Sequence, residues 1–264
     1  MQSMRRALFV LLTACGGGGG FPDAPPVDGP TLGAFSAMWS VVDQNNQPIS
    51  CDRIGGQTMT VLVHNKAFDG GSTQIFTCGT GMGTSQAILT GTYKFDFELG
   101  GTVGLLAKSS VQDNVDIAAD TTTPLQPLLF QVKATGGLAL NLSAGDPGGN
   151  CESGANIQSF TISATHNSDA TCEPLTLAIA AGATKPAHTY TIDCTTPVET
   201  NYCIETDQQM TVTNVPSDGY TMHIRGKVAG QNCYKNDDSI QVPPLDMTLT
   251  RTLNLARQTQ ITGC

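Results

Sequence analysis

The chain has 264 residues, of which 13% are charged against roughly 25% in an average soluble domain, and its formal net charge is −9. An acidic balance of this kind provides no electrostatic footprint for nucleic acid and is repelled by anionic lipid head groups. With 29 glycines, abundant threonine and one tryptophan, the composition is typical of an exported β protein with glycine-rich turns.

The first 14 residues are predicted to be an export signal. Arg5 and Arg6 precede the apolar run Ala7–Leu12, which is far too short to span a bilayer as a helix. The next residues, Leu12-Thr13-Ala14-Cys15, resemble the lipobox of bacterial lipoproteins. The resemblance implies cleavage before Cys15 and attachment of acyl chains such as palmitate to it. Because Gly16 rather than aspartate follows, it also implies the outer membrane of a Gram-negative bacterium. The alternative is an ordinary secretory signal with a chance cysteine.

Residues 15–32 are predicted to be the lipidated cysteine and a tether. Gly16–Gly20 is a flexible glycine run and 21–30 is a stiffer, proline-rich stretch, so together they would hold a domain off a surface. No Gly-Lys-Ser/Thr follows the glycines, which argues against a phosphate-binding loop. Removing the signal leaves 11 basic against 22 acidic residues, a net charge of −11. The covalent lipid must therefore supply the membrane affinity.

Eight of the nine cysteines follow Cys15, at positions 51, 78, 151, 172, 194, 203, 233 and 264. An even number in an exported chain predicts four disulfides. Structural zinc is the alternative, but no two of these cysteines are spaced as C-x2-C and the four histidines do not pair at ligand spacing.

Short period-two stretches predict strands throughout the mature chain. They include 58–63, 93–99, 160–162, 220–224 and 245–249, and turn signals such as Gly100-Gly101 and Pro147-Gly-Gly separate them. Many short strands punctuated by turns favour a sandwich or barrel.

The chain also repeats itself, which predicts two tandem β-sandwich domains at 33–143 and 144–264, each about 110 residues long. Trp39 precedes Cys51 by twelve residues and Phe160 precedes Cys172 by twelve. Each half continues with a second cysteine, a tyrosine strand and a proline-led strand (127–132 and 244–249). The repeat predicts equivalent bridges Cys51–Cys78 and Cys172–Cys194. The remaining cysteines are then expected to pair as Cys203–Cys233 and Cys151–Cys264.

The tyrosine strands carry a family resemblance. Gly91-Thr-Tyr93 after a short turn resembles the G-x-Y strand of transthyretin-like and carboxypeptidase-regulatory-like sandwiches of bacterial surface proteins, while Gly219-Tyr220 lacks the spacer residue. The resemblance implies Ig-like or prealbumin-like antiparallel sandwiches that serve as spacers or binding modules.

Reactive motifs are missing from the sequence. His64, His166, His188 and His223 belong to no His-Glu-x-x-His motif, and neither Gly-x-Ser-x-Gly nor Ser-x-x-Lys occurs. A triad assembled from distant residues stays open, because triads are spatial arrangements. We expect no cofactor. Calcium at the oxygen-rich segments 113–116 and 236–238 is an alternative, although Asn and Asp are also good turn formers.

Three classes of function remain. The leading one is a lipid-anchored, non-enzymatic binding or structural module of the cell envelope, with an envelope protein or a glycan as partner. The second is a carbohydrate-binding domain with an exposed aromatic platform. Tyr202 and Tyr234 are the candidates for that platform, since the repeat places Trp39 in a core. The third is an enzyme of unfamiliar type, which would need a cleft uniting a histidine with carboxylates.

Overall fold

The computed structural model describes residues 29–264, so the predicted export signal, Cys15 and most of the tether lie outside the described residues. Residues 29–264 form 19 strands and one 3-10 turn, Cys78–Thr80, with no α-helix. The all-β class predicted from the sequence is confirmed. In this part of the chain, no helix has the length and apolar character needed to cross a membrane.

Ten strands build a first sandwich and nine a second. The first ten are β1 Leu32–Val42, β2 Gly56–Asn65, β3 Gly71–Thr77, β4 Met82–Thr84, β5 Ile88–Leu89, β6 Gly91–Gly101, β7 Gly104–Lys108, β8 Gln112–Ile117, β9 Thr122–Pro124 and β10 Leu128–Gln131. The others are β11 Thr135–Ser143, β12 Ser159–His166, β13 Thr176–Ile179, β14 His188–Thr191, β15 Met210–Pro216, β16 Gly219–Val228, β17 Gln231–Gln241, β18 Thr248–Asn254 and β19 Ala256–Arg257.

The first sandwich packs a sheet centred on β1 against a sheet of order β3-β2-β6-β7, with β8 also on β6. Period-two alternation turns every second side chain inward. Phe35, Phe95, Phe97 and Phe130 are therefore at most 1% exposed. Trp39 is 7% exposed and its Nε1 donates a hydrogen bond to the Cys78 carbonyl at 2.8 Å. The core position expected for Trp39 is thus confirmed.

The second sandwich packs a sheet of order β14-β13-β15-β11-β18 against one of order β12-β16-β17-β19. Its core is separate from the first and includes Leu140, Phe160, Tyr220 and Met222, each at most 1% exposed. Each half therefore buries its own apolar side chains.

The strand β11 corrects the boundary expected at 143/144. It pairs in parallel with β18 from Gly137↔Thr248 onwards and in antiparallel with β15, and Leu138, Leu140 and Leu142 lie in the second core. It belongs to the second sandwich, as the counterpart of β1, which pairs in parallel with β10. The glycine turn at 147–149 lies in the segment that connects β11 to β12.

The placement of β11 in the second sandwich also changes which residues of the two halves correspond to each other. Cys51 and Cys151 both lie in the turn after the first strand of their sandwich, and their carbonyls accept equivalent hydrogen bonds from Gly56 N at 2.7 Å and Asn156 N at 2.9 Å. The structural counterpart of Cys51 is therefore Cys151, whereas the spacing of the sequence repeat predicts Cys172.

A buried tyrosine marks the same point in both halves. The Tyr93 hydroxyl donates to the Leu89 carbonyl at 2.7 Å, and the Tyr220 hydroxyl donates to the Pro216 carbonyl at 2.9 Å. Both bonds reach back four residues, as in the tyrosine corner of immunoglobulin-like sandwiches. Each one fixes the entry of the chain into the strand that carries the tyrosine.

All eight cysteines of the described residues are paired. The bridges are Cys51–Cys78, Cys151–Cys203, Cys172–Cys194 and Cys233–Cys264. The first and third have the expected pairing. The expected Cys203–Cys233 and Cys151–Cys264 are wrong, because Cys151 lies after β11 beside the segment leading into β15, and the C-terminal turn returns to β17.

Peptide mapping without reduction tests the two corrected pairs. Cleavage after Lys, Arg and Glu separates Cys151 from Cys172 at Glu152, and Cys194 from Cys203 at Glu199. We expect linked peptides joining Cys151 to Cys203 and Cys233 to Cys264. A peptide joining Cys203 to Cys233 would contradict the register of β11.

Candidate binding sites

The most connected polar cluster lies where the two sandwiches meet. Asp218, in the turn between β15 and β16, is 7% exposed. Its Oδ2 accepts hydrogen bonds from Arg53 Nε of the first sandwich at 3.0 Å and from His166 Nδ1 at 2.8 Å. A buried carboxylate needs such partners to offset its lost hydration. Sequence reasoning singled out His166 but missed Arg53 and Asp218, which are distant in the chain.

His166 is held between two carboxylates. Its Nε2 lies 2.9 Å from Glu173 Oε2, opposite the Nδ1 contact with Asp218. Burial lowers the pKa of His166, but the hydrogen bonds to Asp218 and Glu173 outweigh it, so the net pKa is raised. An imidazolium that donates both protons has no lone pair to act as a base. The two contacts hold the His166 ring in a fixed orientation at the junction.

Backbone groups reinforce this junction. Gln241 Nε2 donates to the Arg53 carbonyl at 2.9 Å, and Ser217 N donates to the Ala134 carbonyl at 2.9 Å. Ala134 N in turn donates to Gln44 Oε1 at 2.9 Å. A polar cavity of about 280 Å³ opens beside Arg53 and His166. These bonds connect the first sandwich to the turn that carries Asp218.

His223 joins a second polar trio. Its Nδ1 lies 2.8 Å from Asp237 Oδ1 and its Nε2 lies 3.1 Å from Thr165 Oγ1. This is the hydrogen-bond order of a nucleophilic triad. However, the trio spans the outer face of β12, β16 and β17, His223 and Asp237 are 35% and 36% exposed, and Arg225 also binds Asp237 at 2.7 Å. Such an exposed, ion-paired face does not exclude water from a reacting group.

In both segments where calcium is the alternative, 113–116 and 236–238, other side chains already contact side-chain oxygen atoms. Lys66 Nζ lies 2.6 Å from both Asp113 Oδ1 and Asn114 Oδ1. In the other segment Asp237 pairs with His223 and Arg225. Within residues 29–264, three His, Cys, Asp or Glu side chains nowhere converge in a way that could hold a metal ion.

Tyr234 does not form the platform expected from the sequence. It is 3% exposed, and its hydroxyl lies 3.3 Å from Asp146 Oδ2. The cause is a β-bulge: Gly226 pairs with Tyr234 but Lys227 pairs with Asn232, so Cys233 is left without a partner in the ladder. The bulge breaks the alternation, and both Cys233 and Tyr234 are buried.

Tyr202 borders an open groove. Its ring stacks on His188 with centroids 3.8 Å apart and planes inclined by 8°. The groove has a volume of about 390 Å³ and is lined by Tyr202 together with residues of β14 and of segment 198–201. Of the two tyrosines expected to stack on a ligand, only Tyr202 is positioned at a surface groove.

An apolar cleft lies in the first sandwich. It measures about 410 Å³ and is lined mainly by Leu32, Val63, Ile88 and Tyr93, with Phe68 at its edge. Phe68 is 66% exposed. The lining of this cleft is more strongly apolar than that of the groove at Tyr202.

No protein-family model matches the chain, and no curated protein is similar to it in sequence. Distantly similar solved structures include the TIE protein of Bacillus anthracis (TM-score 0.35, 10% identity, covering 86% of this chain and 34% of that one). They also include the major pilin of Streptococcus pyogenes (0.29, 8%, 85% and 98%) and the shaft pilin SpaA of Lactobacillus rhamnosus GG (0.30, 10%, 86% and 98%). The chain spans about a third of the TIE protein. At these TM-scores the likenesses carry no conclusion about function.

Replacing His166 tests the charge state of the junction cluster. Because its pKa is raised above the ordinary 6.5, protonated His166 contributes stability fully below pH 6.5, and this is lost as pH rises through the folded-state pKa. At acidic pH we expect His166→Gln to lower the free energy of unfolding by about 1.5–3 kcal/mol. The difference in the free energy of unfolding between His166→Gln and the native chain should become smaller at alkaline pH.

Urea unfolding at a series of pH values measures this difference. His64→Gln is the matched control, because His64 is 51% exposed and lies 3.5 Å from its carboxylate partner Asp96. If His166→Gln had the same pH profile as the native chain, the imidazolium would not be part of the cluster.

Proposed function

We propose that this chain is a lipid-anchored protein of the bacterial cell envelope that acts as a non-enzymatic binding or structural module. The use of cysteine carries the proposal. The sequence has nine cysteines, and the eight in residues 29–264 pair in four disulfides. Four bridges are typical of an oxidising, exported location. Cys15, the ninth, stands at the end of the lipobox-like Leu12–Cys15 and is the proposed site of lipid attachment.

The contacts that His166 and His223 make support a module without catalysis. His166 is clamped between Glu173 and Asp218, and His223 lies on an open sheet face beside Arg225. Two separate cores and four cross-links are features of a durable scaffold. A scaffold of this kind presents its loops to a partner. The proposed partners are an envelope protein or a glycan, with the membrane contacted through the covalent lipid.

Carbohydrate binding is the second candidate function, and the groove beside Tyr202 favours it. The groove combines a fixed aromatic ring with carboxylate and amide side chains. Sites for small ligands commonly unite an apolar surface with a few placed polar groups.

Substitution at the anchor tests the proposed function. We expect Cys15→Ala to abolish incorporation of labelled palmitate and to release the chain from the membrane fraction, because a single-site anchor is lost. Gly16→Asp should move the lipidated chain from the outer to the inner membrane fraction. Gly18→Asp adds the same charge within the glycine run and should leave the location unchanged.

Membrane fractionation and palmitate labelling give both readouts. Unchanged labelling of Cys15→Ala would contradict lipid attachment at this residue. Recovery of both aspartate variants in the same fraction would contradict the assignment to the outer membrane.

A further inference from the structure

We propose that the groove beside Tyr202 is a glycan-binding subsite that takes neutral or N-acetylated sugars. The inference deepens the binding arm of the proposed function and rests on it. It is carried by three observations: a stacked aromatic platform, covalent fixation of both walls, and ionised acceptors along the rim.

The platform is the ring pair of His188 and Tyr202. A centroid distance of 3.8 Å with an angle of 8° leaves the Tyr202 ring little freedom, since one face rests on the imidazole. Tyr202 also lines the groove. A ring held in place before binding loses little conformational entropy when a ligand packs on it. Val198, 41% exposed, adds an apolar surface to the same groove.

Disulfides fix both walls of the groove. Asp193 precedes Cys194, which is bridged to Cys172, and Tyr202 precedes Cys203, which is bridged to Cys151. Cys151–Cys203 is the counterpart of Cys51–Cys78, but Cys172–Cys194 has no counterpart among the described residues of the first sandwich. The second sandwich thus has an additional cross-link next to the groove residue Asp193.

The rim presents ionised carboxylates. Hydrogen bonds from the Thr195 backbone and hydroxyl lower the pKa of Asp193. Those from Lys227 and Ser159 lower the pKa of Glu199. Both groups are therefore charged at neutral pH. Each oxygen of Glu199 already has a partner, Ser159 or Lys227, so Asp193 offers more of its acceptor capacity to a sugar hydroxyl. Asn201, which is exposed, adds an amide that can both donate and accept.

These features match a pyranose ring better than other ligands. A pyranose offers a C–H face that packs on an aromatic ring and a rim of hydroxyl groups that donate to carboxylates. Uronic or sialic acids bring a second negative charge beside Asp193, so they are disfavoured; the charge of Glu199 is balanced by Lys227. The volume of about 390 Å³ lies in the range of small-ligand sites.

Saturation-transfer and ¹⁵N chemical-shift NMR test the proposal on the full chain carrying Cys15→Ala. The probes are chitotriose, cellotriose and maltotriose, with a hyaluronan tetrasaccharide as the anionic comparison. We expect at least one neutral or N-acetylated probe to bind with a Kd of about 1 mM or tighter. Shifts should be confined to 188–193 and 198–202, and the hyaluronan fragment should bind more weakly.

Variants separate the ring from its hydroxyl. Tyr202→Ala should weaken binding at least about tenfold, whereas Tyr202→Phe keeps the ring and should stay within about twofold of the native chain. Phe68→Ala removes an exposed aromatic side chain from the first sandwich and should leave binding unchanged. Shift mapping of the chain with its native groove locates the site even where Tyr202→Ala disturbs the fold.

The proposal is overturned if none of the three neutral probes shows saturation transfer at about 10 mM. It is overturned equally if shifts fall outside the groove, if Tyr202→Ala binds as well as the native chain, or if the anionic probe binds best. None of these results touches palmitate labelling or membrane fractionation. Failure of the glycan site is therefore distinguishable from failure of the anchoring proposal.

Discussion

Each half of the molecule closes when its first strand pairs in parallel with a strand near its C-terminal end, β1 with β10 and β11 with β18. In each sandwich the two paired strands are far apart in the sequence, so the chain between them must close as a long loop when they pair. The four disulfides reduce the freedom of the unfolded chain and thereby favour this closure. The position of each turn, bridge and tyrosine bond follows from which strands pair in this way.

Because only 13% of the residues are charged, each ion pair is a large share of the charged contacts in the chain. Asp218 is buried at the meeting point of the sandwiches, and one of its oxygens serves both Arg53 and His166. Removing either cation would leave a buried carboxylate with less compensation for its lost hydration. The junction therefore depends on these polar contacts as well as on packing.

The two sandwiches share a plan but differ in detail. The first has one bridge, an apolar cleft and the position next to the tether. The second has three bridges, the histidine clusters and the groove beside Tyr202. The proposed glycan site lies in the second sandwich.

Local sequence determined the features that depend on near neighbours. Period-two alternation marked the strands of the core, and the twelve-residue spacing placed Trp39 inside. The bridges Cys51–Cys78 and Cys172–Cys194 were predicted from the sequence repeat, and both pairings are present, although the structural counterpart of Cys51 is Cys151. Alternation cannot say which distant strand becomes the neighbour, so the role of β11 and the partner of Cys151 were missed.

Tyr202 and Tyr234 also show the difference between what local sequence determines and what contacts between distant residues determine. Each is adjacent to a cysteine in a polar segment, and the sequence does not distinguish them. The bulge in β17 turns Tyr234 inward, while stacking on His188 holds Tyr202 at a groove. The sequence by itself determined the strand content, the even set of cysteines after Cys15 and the acidic charge, because these depend on composition and local period. Only the tertiary structure decided strand partners, the junction at Asp218 and the groove, because they arise from contacts between residues far apart in the chain.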